Sequence, residues 1–189
     1  MPERIANKII LAEDLEQQNL VRRYLQRCGH ESRECRFVPL PARGPSGSGE
    51  KYVRDQYPHQ VQACRSSLGR QATALLVVIV DADNETTRWR AAQLSDALRT
   101  AGMEERREDE PIVVLIPRRH VETWIRALLG NQVDEVTDYT KAPYSTPVAN
   151  DIKNAVTELH QWTRPGANPG PTSPASLTAS IPEWRKIPS

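Results

Sequence analysis

The sequence is short of the residues that advertise most small binding chemistries. It contains three cysteines, Cys28, Cys35 and Cys64, and no Cys-x-x-Cys pair. An odd count without metal spacing argues against a disulfide framework or a thiolate zinc site and reads as reduced thiols. The four histidines, His30, His59, His120 and His160, show no zinc-ligand spacing either. Net charge is +1, so there is no broad basic field, and any nucleic-acid contact must use a local patch. No run approaches the ~18 apolar residues of a membrane span, and MPERIANKII at the start lacks the apolar core of a secretion signal. The expectation is a soluble cytoplasmic protein with no membrane role.

One near-miss belongs with these absences. GPSGSGEK, Gly44 to Lys51, comes close to the phosphate-loop pattern G-x-x-x-x-G-K-[ST]. Glu50 intrudes before Lys51, no Ser or Thr follows, and no strong strand leads in, so nucleotide hydrolysis is rejected there. A flexible loop, or a weak anion nest beside a helix start, is what the stretch can still provide.

What the chain does have is strand–helix alternation. Residues 5–12 (IANKIILA) read as a first strand. Residues 74–80 and 111–117 (PIVVLIP) are apolar at nearly every position, as strands covered on both faces of a parallel sheet are. Residues 35–40 (CRFVPL) give a short segment that Pro39 and Pro41 relegate to an edge. After the first strand, Val21, Tyr24, Leu25 and Cys28 fall at helical spacing, with Gly29 as a stop. A helix over 52–68 is expected to kink or break at Pro58. Another spans 86–101, with Ala91, Leu94, Leu98 and Ala101 on one face. A short helix over 120–129 has a strong apolar face, and a further helix covers 148–162.

The pattern implies an α/β fold: a mainly parallel sheet flanked by helices. Residues 1–163 read as one domain. Residues 164–189, rich in Pro, Ser and Gly, read as an extended C-terminal arm with one small apolar signal, SLTASIPEW.

In such sheets chemistry gathers at the carboxyl ends of the strands. Glu13 follows the first strand, and Asp81 and Asp83 follow the second long one. Two carboxylates held close repel each other unless a positive group lies between them. A hard divalent cation such as Mg²⁺ would serve. The plain alternative is that Asp-x-Asp caps the next helix and satisfies turn amides. Arg118, Arg119 and His120 follow the third long strand and stand where a phosphate backbone could be held, or form a solvated turn; Arg88 and Arg90 lie just past Asp83. Glu122 has an ordinary explanation in an i,i+4 pair with Arg126. Trp124 lies on an apolar face and reads as core.

IILAEDLEQQNLVRRYL followed by LLVVIVDADNETTR resembles the Toprim domain of topoisomerases, primases and OLD-type nucleases. The likeness covers roughly the first two-thirds of the chain. It implies a Toprim-like, Rossmann-like sheet, with Glu13, Asp81 and Asp83 as catalytic and metal-binding acids. Here Asp14 replaces the Gly that often follows the family's Glu, and Gln17 stands where a later acid is usual. IPRRHVETWI and the late PASLTASIPEWRKI resemble small stand-alone Toprim proteins found beside SMC- or ABC-type ATPases in anti-phage operons. That likeness points to Glu122 as a further metal ligand and, through DYTK, to Lys141.

The resemblance implies a nuclease dependent on Mg²⁺ or Mn²⁺, serving as a defence effector with an ATPase partner. Arg88, Arg118, Arg119, His120 and Lys141 would contact nucleic acid. The alternative is a non-catalytic docking subunit of the same kind of ATPase complex. Self-association is left open by the sequence.

Overall fold

The computed structural model describes residues 7–41, 49–70 and 73–188. Four strands, β1 (Lys8–Leu11), β2 (Cys35–Phe37), β3 (Leu75–Ile79) and β4 (Ile112–Leu115), form one all-parallel sheet in the order β2-β1-β3-β4. Six α-helices accompany it among the described residues: α1 (Leu15–Arg27), α2 (Gly49–Gly69), α3 (Thr87–Thr100), α4 (Val121–Leu128), α5 (Ala149–Trp162) and α6 (Ala175–Trp184). No helix among the described residues is long and apolar enough to cross a membrane.

Alternation along each strand explains the unbroken apolar runs. Ile10, Val77, Ile79, Val113 and Leu115 join the core with side chains of α1, α4, α5 and α6. Their neighbours Ile9, Leu11, Leu76, Val78 and Ile112 join a second core with α2 and α3. With both faces covered, β1, β3 and β4 are apolar throughout except at Lys8, which opens β1 and pairs with Glu34.

The expected elements are largely present, with instructive differences. β1 starts at Lys8; residues 5 and 6 lie outside the described residues. The edge segment becomes β2, paired parallel to β1. Pro58 neither breaks nor ends its helix, and α2 runs unbroken through it. On α3, Leu94 and Leu98 are buried as expected, but Ala91 and Ala101 are exposed, and Arg90 takes the buried position.

The C-terminal segment is the main correction. Where an extended arm was expected, residues 175–184 form α6 and enter the core beside the sheet. Leu177, Ile181 and Trp184 lie at i, i+4 and i+7, all buried, so one helical stripe meets the core. Trp184 packs on Tyr24 with ring centroids 4.6 Å apart. Glu183 accepts from the Val114 amide at 2.9 Å and from Arg106 Nη1 at 2.7 Å. It thereby covers a backbone donor of β4, an edge strand whose free groups would otherwise be open to pairing. Proline content masked this stripe, although Pro174 only precedes the helix and α6 runs on through Pro182.

The strand order creates a switch point. The chain leaves β1 into α1 on one face and leaves β3 toward α3 on the other. β1 and β3 are neighbours, so their carboxyl ends open onto a crevice between diverging connections, where α/β sheets bind ligands. Because α6 completes the core, Trp184→Ala is expected to cost about 3–5 kcal/mol in urea denaturation. An arm merely resting on the surface would give a loss well below that.

Candidate active site

The end of β1 and the end of β3 meet through one carboxylate. Glu13 Oε1 accepts from the Asp81 amide across the crevice. The same oxygen accepts from Gln17 Nε2 at 3.1 Å, and Gln17 Oε1 accepts from the Glu13 amide at 3.0 Å. Asp14 caps α1 by accepting from the Gln17 amide at 2.8 Å, so the helix start fixes Gln17 and Gln17 fixes Glu13. Gln17, standing where an acid was expected, is fully buried and acts as the clamp on Glu13.

Asp81 and Asp83 are held on a turn rather than on a strand. Asp83 has φ 53°, the one non-glycine residue with positive φ among the described residues. Asp tolerates this left-handed region better than most residues, yet the conformation needs support from its surroundings. Arg90 provides it. Its Nε donates to the Asp81 carbonyl at 2.9 Å, Nη2 lies 3.4 Å from Asp83 Oδ2, and Nη1 lies 2.6 Å from Glu50 Oε1. Glu50 opens α2, whose first residue, Gly49, rests directly against Glu13. A Cβ at Gly49 would come within 2.7 Å of Glu13 Cβ, so close approach requires glycine there. Of the phosphate-loop-like stretch, Gly44–Ser48 lie outside the described residues, and Gly49–Lys51 begin α2.

Pairing then continues past the strands and brings in the basic cluster. Val80 donates to Leu115, Ala82 to Pro117 at 2.8 Å, and Asp83 to Arg119 at 3.2 Å. This extension lays Pro117–His120 beside Asp81–Asp83. His120 Nδ1 lies 3.4 Å from Asp81 Oδ2 and 3.7 Å from Asp83 Oδ1, and its Nε2 lies 3.6 Å from Asp138 Oδ1. His120 thus stands between the acids, not out on the surface.

Arg119 is drawn to Asn84 and Asp138, and Arg118 to the Glu85 carbonyl. Both arginines brace the turn. Lys141 pairs with Asp138 at 3.0 Å but remains largely exposed, and Arg88 is exposed on the first turn of α3. Glu122 is buried at the start of α4 without its expected partner. Arg126 instead donates to the Ser145 carbonyl at 2.9 Å and stacks on Tyr139 and Tyr144. Trp124 is core, its Nε1 donating to Ser176 Oγ at 2.7 Å.

Sequence reasoning missed Asp138, Gln17, Gly49 and Glu50. The last two sit in a stretch weighed for another chemistry. Asp138 opens the DYTK stretch, where attention fell on Lys141; its approach to Arg119 and His120, some twenty residues earlier in the chain, leaves no local pattern.

Electrostatically the site is costly. Burial, then the Asp81 charge, pushes the Glu13 carboxyl from its usual 4.5 up to about 8. Burial, then the charges of Asp14, Glu122 and Asp83, raises Asp81 well above the usual range. Asp14 and Glu122 are also raised, chiefly by burial. Asp138 goes the other way: the Thr140 hydroxyl, with help from Lys141, holds its carboxyl low.

The donor set suits a hard divalent cation. It is made of carboxylate oxygens, and Asp81 Oδ1 is buried with no hydrogen-bond partner. As placed, no three His, Cys, Asp or Glu side chains among the described residues form a ready cage for an ion. A surface groove of about 910 Å³ between α2 and α3 is lined by none of these carboxylates.

No protein-family model, curated protein or solved structure matches the chain. The class that fold and site define is therefore structural: an α/β protein with an acidic crevice at its switch point.

Two outcomes follow from this geometry. Folded Glu13 binds its proton more tightly than the unfolded chain does. Stability without added metal should therefore fall as pH rises from about 5 to about 8, with Glu13→Gln flattening that slope in thermal melts. Arg90→Met should cost about 3 kcal/mol or more in urea denaturation, since buried carbonyls and carboxylates lose their cation. A loss under about 1 kcal/mol would show that Arg90 does not brace the turn.

Proposed function

We propose that the chain is a Toprim-like nuclease dependent on Mg²⁺ or Mn²⁺. The observation that carries this reading is the convergence of Glu13, Asp81 and Asp83 at the β1–β3 switch point, with Asp81 Oδ1 buried and unpartnered. Asp81 and Asp83 would hold the ion, with Glu13 or Glu122 adding an oxygen. Bound there, the ion would supply Lewis-acid stabilisation of charge on a phosphodiester.

The chain's own groups supply the proton chemistry and the grip. Glu13 Oε1 is occupied by two donors, which leaves Oε2 to act as general acid or base. That carboxyl can deliver a proton to a leaving oxygen. Arg90 and the paired Pro117–Arg119 backbone keep Asp81 and Asp83 turned toward one place. Arg118 and Arg119 are committed to bracing, so contact with a phosphate backbone falls first to exposed Arg88 and Lys141, with His120 nearest the acids. The resemblance to stand-alone Toprim proteins supports a role as a defence effector beside an SMC- or ABC-type ATPase.

A second reading keeps the fold and removes the chemistry: a docking subunit of such an ATPase complex. The absence of a ready three-ligand cage among the described residues favours it.

The experiment pairs cleavage with metal uptake. The full chain is incubated with DNA and RNA in Mg²⁺ or Mn²⁺, alone and with a co-purifying ATPase, and titrated with Mn²⁺ by calorimetry. Under the nuclease reading, Asp81→Asn with Asp83→Asn abolishes both cleavage and uptake. Equal cleavage by variant and wild type would remove the mechanism, and no uptake by wild type would favour docking.

A further inference from the structure

Helix α1 runs from the acidic crevice and carries a second, unassigned chemistry on its outer side. Most arginines among the described residues are tied down, as in Arg65 with Glu110, Arg90 with Glu50 and Arg106 with Glu183. Arg22 and Arg23 are not: among the described residues neither has a hydrogen bond or an ion pair, and Arg22 Nε is buried with no partner. The Arg22 guanidinium lies over the Phe37 ring, 4.6 Å from its centre. Stacking holds that plane flat and keeps its fork of donors in one orientation.

A groove of about 350 Å³ opens at this point, with Asn19, Arg22, Arg23, Gln26, Ser32 and Phe37 on its walls. Its carboxylate, Glu16, lies on the first turn of α1, close enough to the acidic site for its charge to raise both Asp14 and Glu122. Glu16 thus marks the end of the groove nearer the crevice, and Arg22 and Arg23 make the other end cationic. Glu16 to Arg23 is about 10 Å along the helix at ~1.5 Å per residue. At the ~3.4 Å rise of a duplex strand, that is about three nucleotides.

We infer that the α1 groove holds backbone phosphates of the strand whose scissile bond lies at Glu13, Asp81 and Asp83, about three nucleotides along. This rests on the nuclease reading of the acids. Arg22 and Arg23 offer guanidinium forks matched to phosphate oxygens. Asn19, Gln26 and Ser32 add neutral donors of the kind that grip backbone and sugar.

The test is binding of a labelled single-stranded oligonucleotide to the full chain in EDTA, followed by anisotropy over a range of salt concentrations. Wild type is compared with Arg22→Gln/Arg23→Gln and with Arg23→Glu, an exposed position whose change leaves the core untouched. Removing two phosphate contacts should weaken binding and reduce the slope of log affinity against log salt by about 1.4, at ~0.7 per contact on a single strand. Arg23→Glu alone should weaken binding with an unchanged melting temperature. An unchanged slope in folded variants overturns the inference, as does failure of wild type to bind the oligonucleotide at low salt. Failure of the parent reading looks different: cleavage indifferent to the Asp81 and Asp83 substitutions, with the salt slope still dependent on Arg22 and Arg23.

Discussion

A single carboxylate oxygen bridges the two central strands where their connections part. Glu13 Oε1 accepts the Asp81 amide from β3 and the Gln17 amide from α1 at once. The strand order requires some such bridge. β1 and β3 are hydrogen-bonded neighbours, yet the chain leaves them toward opposite faces, so the space past their ends is filled by neither connection. Side chains at the strand ends must occupy that space or line it. The rest of the site is arranged around this contact: Asp14 sets Gln17, Gln17 sets Glu13, and α2 approaches closely because Gly49 has no Cβ to obstruct it.

The arrangement opposes what stability alone would select. Several carboxyls are packed together with most of their water removed, and both burial and mutual repulsion favour their neutral forms. Arg90, His120 and the paired backbone after β4 hold them in place but leave Asp81 Oδ1 unsatisfied. The Asp83 backbone is in the left-handed region, in a turn fixed from two sides. Asp81 and Asp83 do not cap the following helix, whose N-cap is Thr86, and an unpartnered oxygen among like charges is the feature on which the proposed ion site rests.

Much of the fold was legible in local pattern. The uniformly apolar runs around Val77 and Val113 read as two-faced strands, and Val21, Tyr24 and Leu25 read as one buried helix face. The acids at Glu13, Asp81 and Asp83 stood out because charged residues directly follow those runs. Other features could not be seen this way. Arg90, like Arg88, read as an arginine within reach of a phosphate, whereas in the fold it is buried and donates to the Asp81 carbonyl. Glu122 and Arg126 had helical pairing distance, but Tyr139 and Tyr144 compete for the guanidinium. The C-terminal stripe of Leu177, Ile181 and Trp184 was hidden by proline, which shapes composition more than it shapes this helix.

By itself the sequence determined the fold class, the parallel character of the sheet, and the strand ends at which the acids fall. These follow from periodicity and from the rule that a strand buried on both faces reads as a nearly continuous apolar run. Only tertiary structure decided which acids share a crevice, that Gln17 is the clamp on Glu13, that Asp138 and Glu50 join the network, and that Arg22 and Arg23 have no ion pair among the described residues. Those outcomes depend on distances between residues far apart in the chain, set by strand order and by which face each connection takes. Local spacing carries no record of either.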